Sequence, residues 1–144
     1  TFRFGTISGI SKGMRFHTAI NKFSLYTVLG KPLPIWKSMI NKPRPYLSLQ
    51  DAFKVFKFTI EKNFFKNETY NILSSNLTLK KIISYFKKCK KNTKNKYEYS
   101  KLINQYSYTV SNKKFTKKAF QLKSNILDDI KSTLKIFKGI NNEM

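Results

Sequence analysis

Arg44 is the residue in this sequence best placed to do chemistry, because it stands apart from its surroundings. It lies between Pro43 and Pro45, in a chain whose 29 basic residues comprise three arginines (Arg3, Arg15 and Arg44) and 26 lysines. A planar guanidinium with fixed donors can grip two oxygens of a diphosphate at once, which an ammonium cannot do. Its ordinary alternative is a surface or helix-capping arginine. His17 is the sole histidine and Cys89 the sole cysteine, so a structural zinc site and an internal disulfide are both excluded. The chain has no paired-carboxylate cluster, no supported Ser-His-Asp set and no phosphate loop. Gly5, Gly9 and Gly13 do not match the G-x-G-x-x-G turn of a dinucleotide site.

The elements that must position these residues are short. Phe2 to Ile7 alternates as a strand, and a loop with Gly9 and Gly13 follows. Phe16, Ala19, Ile20, Phe23 and Thr27 have helical spacing, ended by Gly30 with Pro32 beyond. Leu33–Trp36 and Tyr46–Leu47 read as extended segments, the second entered through a Pro43-Arg44-Pro45 turn. Ser48 and Asp51 have the spacing of a capping box, and Ala52, Val55, Phe56 and Ile60 mark one face of the helix it would open. On that reading Asp51 is a capping residue. Tyr70–Leu73 is a strand, and Leu79, Ile82, Ile83 and Phe86 mark a helix. The stretch from Lys87 to Lys101 is polar enough for a loop. Tyr106–Val110 alternates as a strand, and Lys113–Phe120 supplies one or two helical turns. In the last helix Asn125 is the cap, Asp128 and Asp129 occupy the first turn, and Lys135 and Lys138 the last. Ile126, Ile130, Leu134 and Phe137 form its apolar stripe, and Gly139 is its expected end. Short strands alternating with helices point to an α/β fold.

Composition narrows the partners. A net charge of +22 invites nucleic acid, but the basic residues are nearly all lysine, with Asn, Ile, Phe and Tyr also abundant. That joint bias is what AT-rich coding produces, and a nucleic-acid reader is expected to favour arginine. The lysine runs Lys87–Lys96 and Lys113–Lys118 read as solvated faces, which speaks against nucleic acid. No apolar run reaches the roughly 20 residues of a membrane span, and no signal peptide is visible. One cysteine fits a reducing, cytoplasmic setting. Thr1-Phe2-Arg3-Phe4, already strand-like and without an initiating methionine, reads as a cut start, and the polar tail after Gly139 as a natural end.

The order of segments carries a resemblance. Arg3-Phe4-Gly5-Thr6-Ile7-Ser8-Gly9 resembles the R-[FY]-x-N-x-x-G strand and loop of the NAD-dependent epimerase/dehydratase family, the extended short-chain dehydrogenases. Met14 to Phe23 is similar to the helix that follows there, and Gly30-Lys31-Pro32-Leu33-Pro34-Ile35-Trp36 to its G-x-P-L-x-[IV]-[FWY] strand. Arg44 to Ala52 resembles R-x-[FY]-[IV]-x-V-x-D-x-A. Tyr70-Asn71-Ile72 and Val110 to Lys114 resemble the later [FY]-N-[IV] and V-S-x-x-K segments. Six such motifs in order span nearly the whole chain. Two departures stand out: Thr6 replaces the usual asparagine, and no second arginine appears late in the chain.

The resemblance implies the terminal strands of a Rossmann-type sheet (residues 1–13) and a small C-terminal α/β substrate-binding lobe (residues 14–144). It implies a nucleotide-sugar substrate, NAD or NADP as cofactor, and a homodimer in the full-length protein. Thr6, Arg15, His17, Asn21, Trp36 and Arg44 would contact substrate, and Phe4, Gly5 and Thr6 the cofactor. Asn21 is expected on the polar flank of its helix. Trp36 would stack on the base or else close a strand as core, and Asn71 would make structural hydrogen bonds. No catalytic residue is expected here, because the family's catalytic Tyr-x-x-x-Lys and glycine-rich turn lie upstream. Tyr97-Glu98-Tyr99-Ser100-Lys101 spells that pair, but among eight tyrosines and 26 lysines about one chance match is expected, so it is rejected. Two rivals stay open: a small lysine-rich nucleic-acid-binding module, and a structural or partner-binding domain derived from such an enzyme.

Overall fold

A computed structural model describes residues 1–99 and 107–141, the side chains of residues 140 and 141 excepted. The opening segment forms two strands rather than one. β1 (Phe2–Phe4) pairs in parallel with β5 (Tyr70–Ile72), and β2 (Thr6–Ser8) pairs in parallel with β4 (Pro43–Ser48). The change of partner falls on Gly5. A Cβ there would lie 3.0 Å from the carbonyl carbon and oxygen of Pro45, so the close approach of the two backbones favours glycine.

β4 is also antiparallel to β6 (Ser75–Thr78), giving the order β2-β4-β6. The expected Pro43-Arg44-Pro45 turn is therefore strand. Both prolines are tolerated because β2 pairs only from Tyr46 onward, so along Pro43–Pro45 the strand has β6 alone as its neighbour, as at a sheet edge. β3 (Leu33–Trp36) pairs in parallel with β7 (Asn95–Glu98). The expected loop from Lys87 to Lys101 is thus replaced, as far as it is described, by the end of a helix and a strand. The ladder offered by β3 outweighs the polarity of Asn-Lys-Tyr-Glu. Residues 107–110 are not strand, whereas Tyr106 lies outside the described residues.

Helix α1 (Ala19–Val28) starts three residues later than its spacing suggested, because the Thr18 hydroxyl donates to the Arg15 carbonyl at 3.2 Å and holds a turn. It ends as expected at Gly30, whose φ of +67° permits the paired closing bonds from Gly30 and Lys31 to the carbonyls of Thr27 and Tyr26. α3 (Leu79–Cys89) buries Ile82, Ile83 and Phe86, and the Thr78 hydroxyl caps it by accepting from Lys81 N–H. α4 (Lys113–Lys118) is the short helix expected there. α5 (Ile126–Asn141) is capped by Asn125, which accepts from Leu127 N–H at 3.0 Å. It runs past Gly139, where an added Cβ would point into open space and the glycine's cost is only about 1 kcal/mol.

α2 (Leu49–Glu61) departs further from expectation. Ala52, Val55 and Thr59 face the core, while Phe56 and Ile60 are 51% and 72% exposed. The capping box is absent as well. The Ser48 hydroxyl donates to Asp129 at 2.9 Å, alongside that of Ser8 at 2.8 Å. Asp51, fully buried, accepts from the Ser74 hydroxyl (2.7 Å), the Ser124 hydroxyl (2.6 Å) and the Ser124 amide (3.1 Å). Each serine neutralises part of a buried charge by hydrogen bonding, and together they tie α2 and α5 to the central strands.

Two apolar cores flank this seam. One packs α1, α3 and α5 against β3 and β6 through Phe23, Phe86, Ile35 and Ile130. The other gathers Leu47, Val55, Tyr70, Ile72 and Phe115, with Phe2 and Phe4 against it. Asn71 donates to the Ser111 carbonyl at 3.4 Å, a long bond of the structural kind expected of it. No helix among the described residues is long and apolar enough to cross a membrane.

Candidate functional site

A cleft of about 430 Å³ opens between α1, the β3–β4 connection and the start of β2. β2 contributes Thr6 at its first residue, and the turn before α1 contributes His17. Trp36 closes β3, Arg44 sits on β4, and Tyr46 follows two residues on, which places it on the same face of that strand. Lys22 joins from α1 and Lys42 from the turn entering β4. Three cations and an indole therefore surround one opening, and among the described residues no acidic side chain lines it. Volumes of roughly 300 to 1,000 Å³ suit a small organic ligand. Burial pushes the Tyr46 phenol above its usual range, against the pull of the Arg44 charge, so its hydroxyl stays protonated and can donate.

The structure brings together four of the six residues expected to meet substrate: Thr6, His17, Trp36 and Arg44. Arg15 is exposed and does not line the cleft. Asn21 is not on a polar flank. It is 5% exposed, and its amide donates to the Arg15 carbonyl at 3.0 Å, which fixes the turn carrying His17. Phe4 and Gly5 also lie off the cleft. Phe4 stacks on Phe2 at 6.1 Å and meets Phe56 edge-on at 5.5 Å, while Gly5 abuts Pro45. Tyr97 stands on β7, 51% exposed and away from the cleft lining, and Lys101 lies outside the described residues. No group of His, Cys, Asp and Glu among the described residues could hold a metal ion.

Sequence reasoning missed Lys22, Lys42 and Tyr46. Nothing local marks two lysines among 26. Tyr46 had a signal, since it lies two residues beyond Arg44 on an extended segment and must share its face.

No protein-family model matches the sequence, and no curated protein matches it. Solved structures do. The UDP-glucuronic acid 4-epimerase of Bacillus cereus, in complex with UDP-glucuronic acid and NAD, superposes with a TM-score of 0.82 at 17% identity, over 96% of this chain and 45% of its own. A dTDP-glucose 4,6-dehydratase from Bacillus anthracis in complex with NAD gives 0.78 at 18% identity, over 98% and 45%. An epimerase from Methanothermobacter thermautotrophicus gives 0.82 at 14% identity, over 99% and 44%. The chain thus spans less than half the length of these neighbours. At such identities the likeness is one of fold: the chain shares its architecture with part of the NAD-dependent nucleotide-sugar epimerases and dehydratases.

Proposed function

We propose that the cleft binds the diphosphate of a nucleotide sugar, and that these residues are the substrate-binding part of an NAD- or NADP-dependent epimerase or dehydratase. The observation that carries this reading is the convergence of Arg44, Lys42, Lys22 and Trp36 on one cleft. Arg44 supplies a fork for two phosphate oxygens, and the lysines offset the remaining charge. The Trp36 ring offers a face to the base, while the Thr6 and Tyr46 hydroxyls donate to phosphate or sugar oxygens. His17, at the exposed mouth, contacts the ligand rather than acting as a base.

The cofactor belongs elsewhere in this reading. The Phe4 ring is taken up by aromatic packing and Gly5 abuts the Pro45 backbone, which leaves them at most main-chain contact with a cofactor held mainly elsewhere. The glycine-rich turn and the Tyr-x-x-x-Lys pair would come from polypeptide outside these 144 residues, which alone would bind sugar nucleotide without turnover. Calorimetric titration with UDP-glucose tests the binding. Arg44→Lys, which keeps the charge and loses the fork, is expected to weaken affinity ten- to a hundred-fold, or about 1.4–2.8 kcal/mol. Equal affinity in that variant, with binding that falls linearly in log[salt] and ignores the base, would transfer the chain to the lysine-rich nucleic-acid reading.

A further inference from the structure

Helices α1, α3 and α5 meet at a second opening. A pocket of about 280 Å³ lies where the ends of α1 and α3 face α5, and it shares no lining residue with the cleft. Five lysines surround it: Lys88 and Lys90 from the end of α3, and Lys131, Lys135 and Lys138 from α5. Among the described residues, Lys131 alone of the five has an ion pair, with the exposed Asp128 at 3.4 Å. The α5 lysines recur at intervals of four and three residues, so they share one face, and like charges so spaced destabilise a helix. Helix-dipole complementation accounts for a cation in the last turn but not for Lys131 or Lys135, which precede it.

Between the lysines the wall is uncharged. Leu134 is buried and Val28 and Cys89 are half-buried, and burial pushes the Cys89 thiol up, against the pull of Lys131, so it stays neutral. The Lys90 ammonium donates to the Thr27 carbonyl at 3.0 Å, which offsets the negative end of α1. Thr27 also lines the pocket, and its hydroxyl is buried with no hydrogen-bond partner among the described residues. Such an atom calls for a partner.

We propose that this pocket is a second ligand site, which binds a triphosphate chain, either inorganic or carried by a nucleotide. Ammonium groups are compact point charges without the guanidinium fork, so lysines from two facing helices suit a short anion with charge along its length. The volume lies near the lower bound of about 300 Å³ for small-ligand sites, which fits a phosphate chain better than a whole sugar nucleotide. No aromatic side chain lines the pocket, so a single-stranded nucleic acid would find no stacking platform there. The inference goes beyond the sugar-nucleotide reading and does not depend on it.

Cys89, the sole cysteine, reports on occupancy because it lines the pocket. The test is alkylation of the 144-residue protein by N-ethylmaleimide, followed by mass spectrometry, with sodium tripolyphosphate as the probe. Saturating tripolyphosphate is expected to slow the reaction about tenfold or more, and Lys135→Gln with Lys138→Gln to raise the half-protecting concentration by about the same factor. Lys88→Gln, on the facing helix, should weaken protection as well, so the result does not hang on α5 alone. Lys113→Gln with Lys117→Gln removes two exposed charges from α4 outside the pocket, and should change that concentration by less than about twofold. Protection by ATP at the same concentration assigns the chain to a nucleotide, and protection by tripolyphosphate alone assigns it to an inorganic source. No protection, equal weakening in the two double variants, or stronger protection by UDP-glucose or a single-stranded oligonucleotide overturns the proposal.

Discussion

Asp51 and Asp129 are sealed among serines, whereas Lys22, Lys42 and Arg44 stand around an open cleft. In the first region every carboxylate oxygen accepts from a hydroxyl, and the one basic side chain among the described contacts is Lys54, an exposed lysine whose ammonium lies 3.7 Å from Asp51. Burial raises the Asp129 carboxyl, with Ser8 and Ser48 pulling it back and the charges of Asp51 and Asp128 adding to the rise. In the second region cations gather and no carboxylate among the described residues lines the wall. On the proposed reading, the two arrangements separate charge used for folding from charge used for binding. A buried charge that holds a fold must be satisfied internally, while cations gathered at an opening attract an anionic ligand.

Removing Asp51 should be the most damaging test of that division. Asp51→Ala strands two serine hydroxyls and the Ser124 amide, and is expected to cost about 3–5 kcal/mol, read as a lower urea midpoint. An unchanged midpoint would mean that the seam does not hold α2 in place. On the cleft side the effects should fall on ligand affinity. Trp36→Ala is expected to lose about 1–3 kcal/mol of UDP binding, and Trp36→Phe to recover most of it, as stacking requires. If both variants lose equally, Trp36 acts by packing. Lys42→Gln should cost less than about 1 kcal/mol, and that loss should shrink in high salt because the group is exposed. A loss independent of salt would place Lys42 in a direct, desolvated contact.

The smallest expected effect is a pH signature at the surface. Lys118 and Lys114, bonded to Glu68 at 2.6 and 2.9 Å, hold its carboxyl down at about 2. A lowered carboxyl stabilises the fold above its ordinary value of 4.5 and loses that contribution as pH falls toward about 2. Wild type and Glu68→Gln should thus differ in thermal midpoint at pH 7 and converge toward pH 2. Asp129 has the opposite sign, since its raised pKa costs stability as pH rises through it. It is common to both proteins and cancels in the difference. Midpoints that stay equally separated at all pH values would mean that Glu68 acts without its charge.

How much of this was legible depends on how far each signal had to travel. α3 and α5 could be read because their buried positions recur at helical spacing, and in α5 also because its cap is adjacent in sequence. β7 could not, because its strand character comes from an edge supplied by β3, some 60 residues earlier. Asp51 was misread for the same reason. A serine three residues before it suggests a local cap, yet its true partners lie 23 and 73 residues away. In the cleft, Arg44 was visible because arginine is rare here, and Lys42 was invisible because lysine is common. Asn21 was placed on the wrong side of α1 because its polarity implied solvent, while the fold used its amide to pin a turn.

Gly5 carries a consequence for how such a chain can change over generations. It is the whole connector between β1, whose Phe4 belongs to the aromatic side, and β2, whose Thr6 belongs to the cleft. Side chains alternate along a strand, so inserting or deleting one residue there would turn Thr6 away from the cleft or Phe4 away from its ring partners. The loops from Gly9 to His17 and from Asn63 to Thr69 can lengthen at little cost. This connector has a fixed length, so point substitution remains the route by which residues 2–8 can diverge.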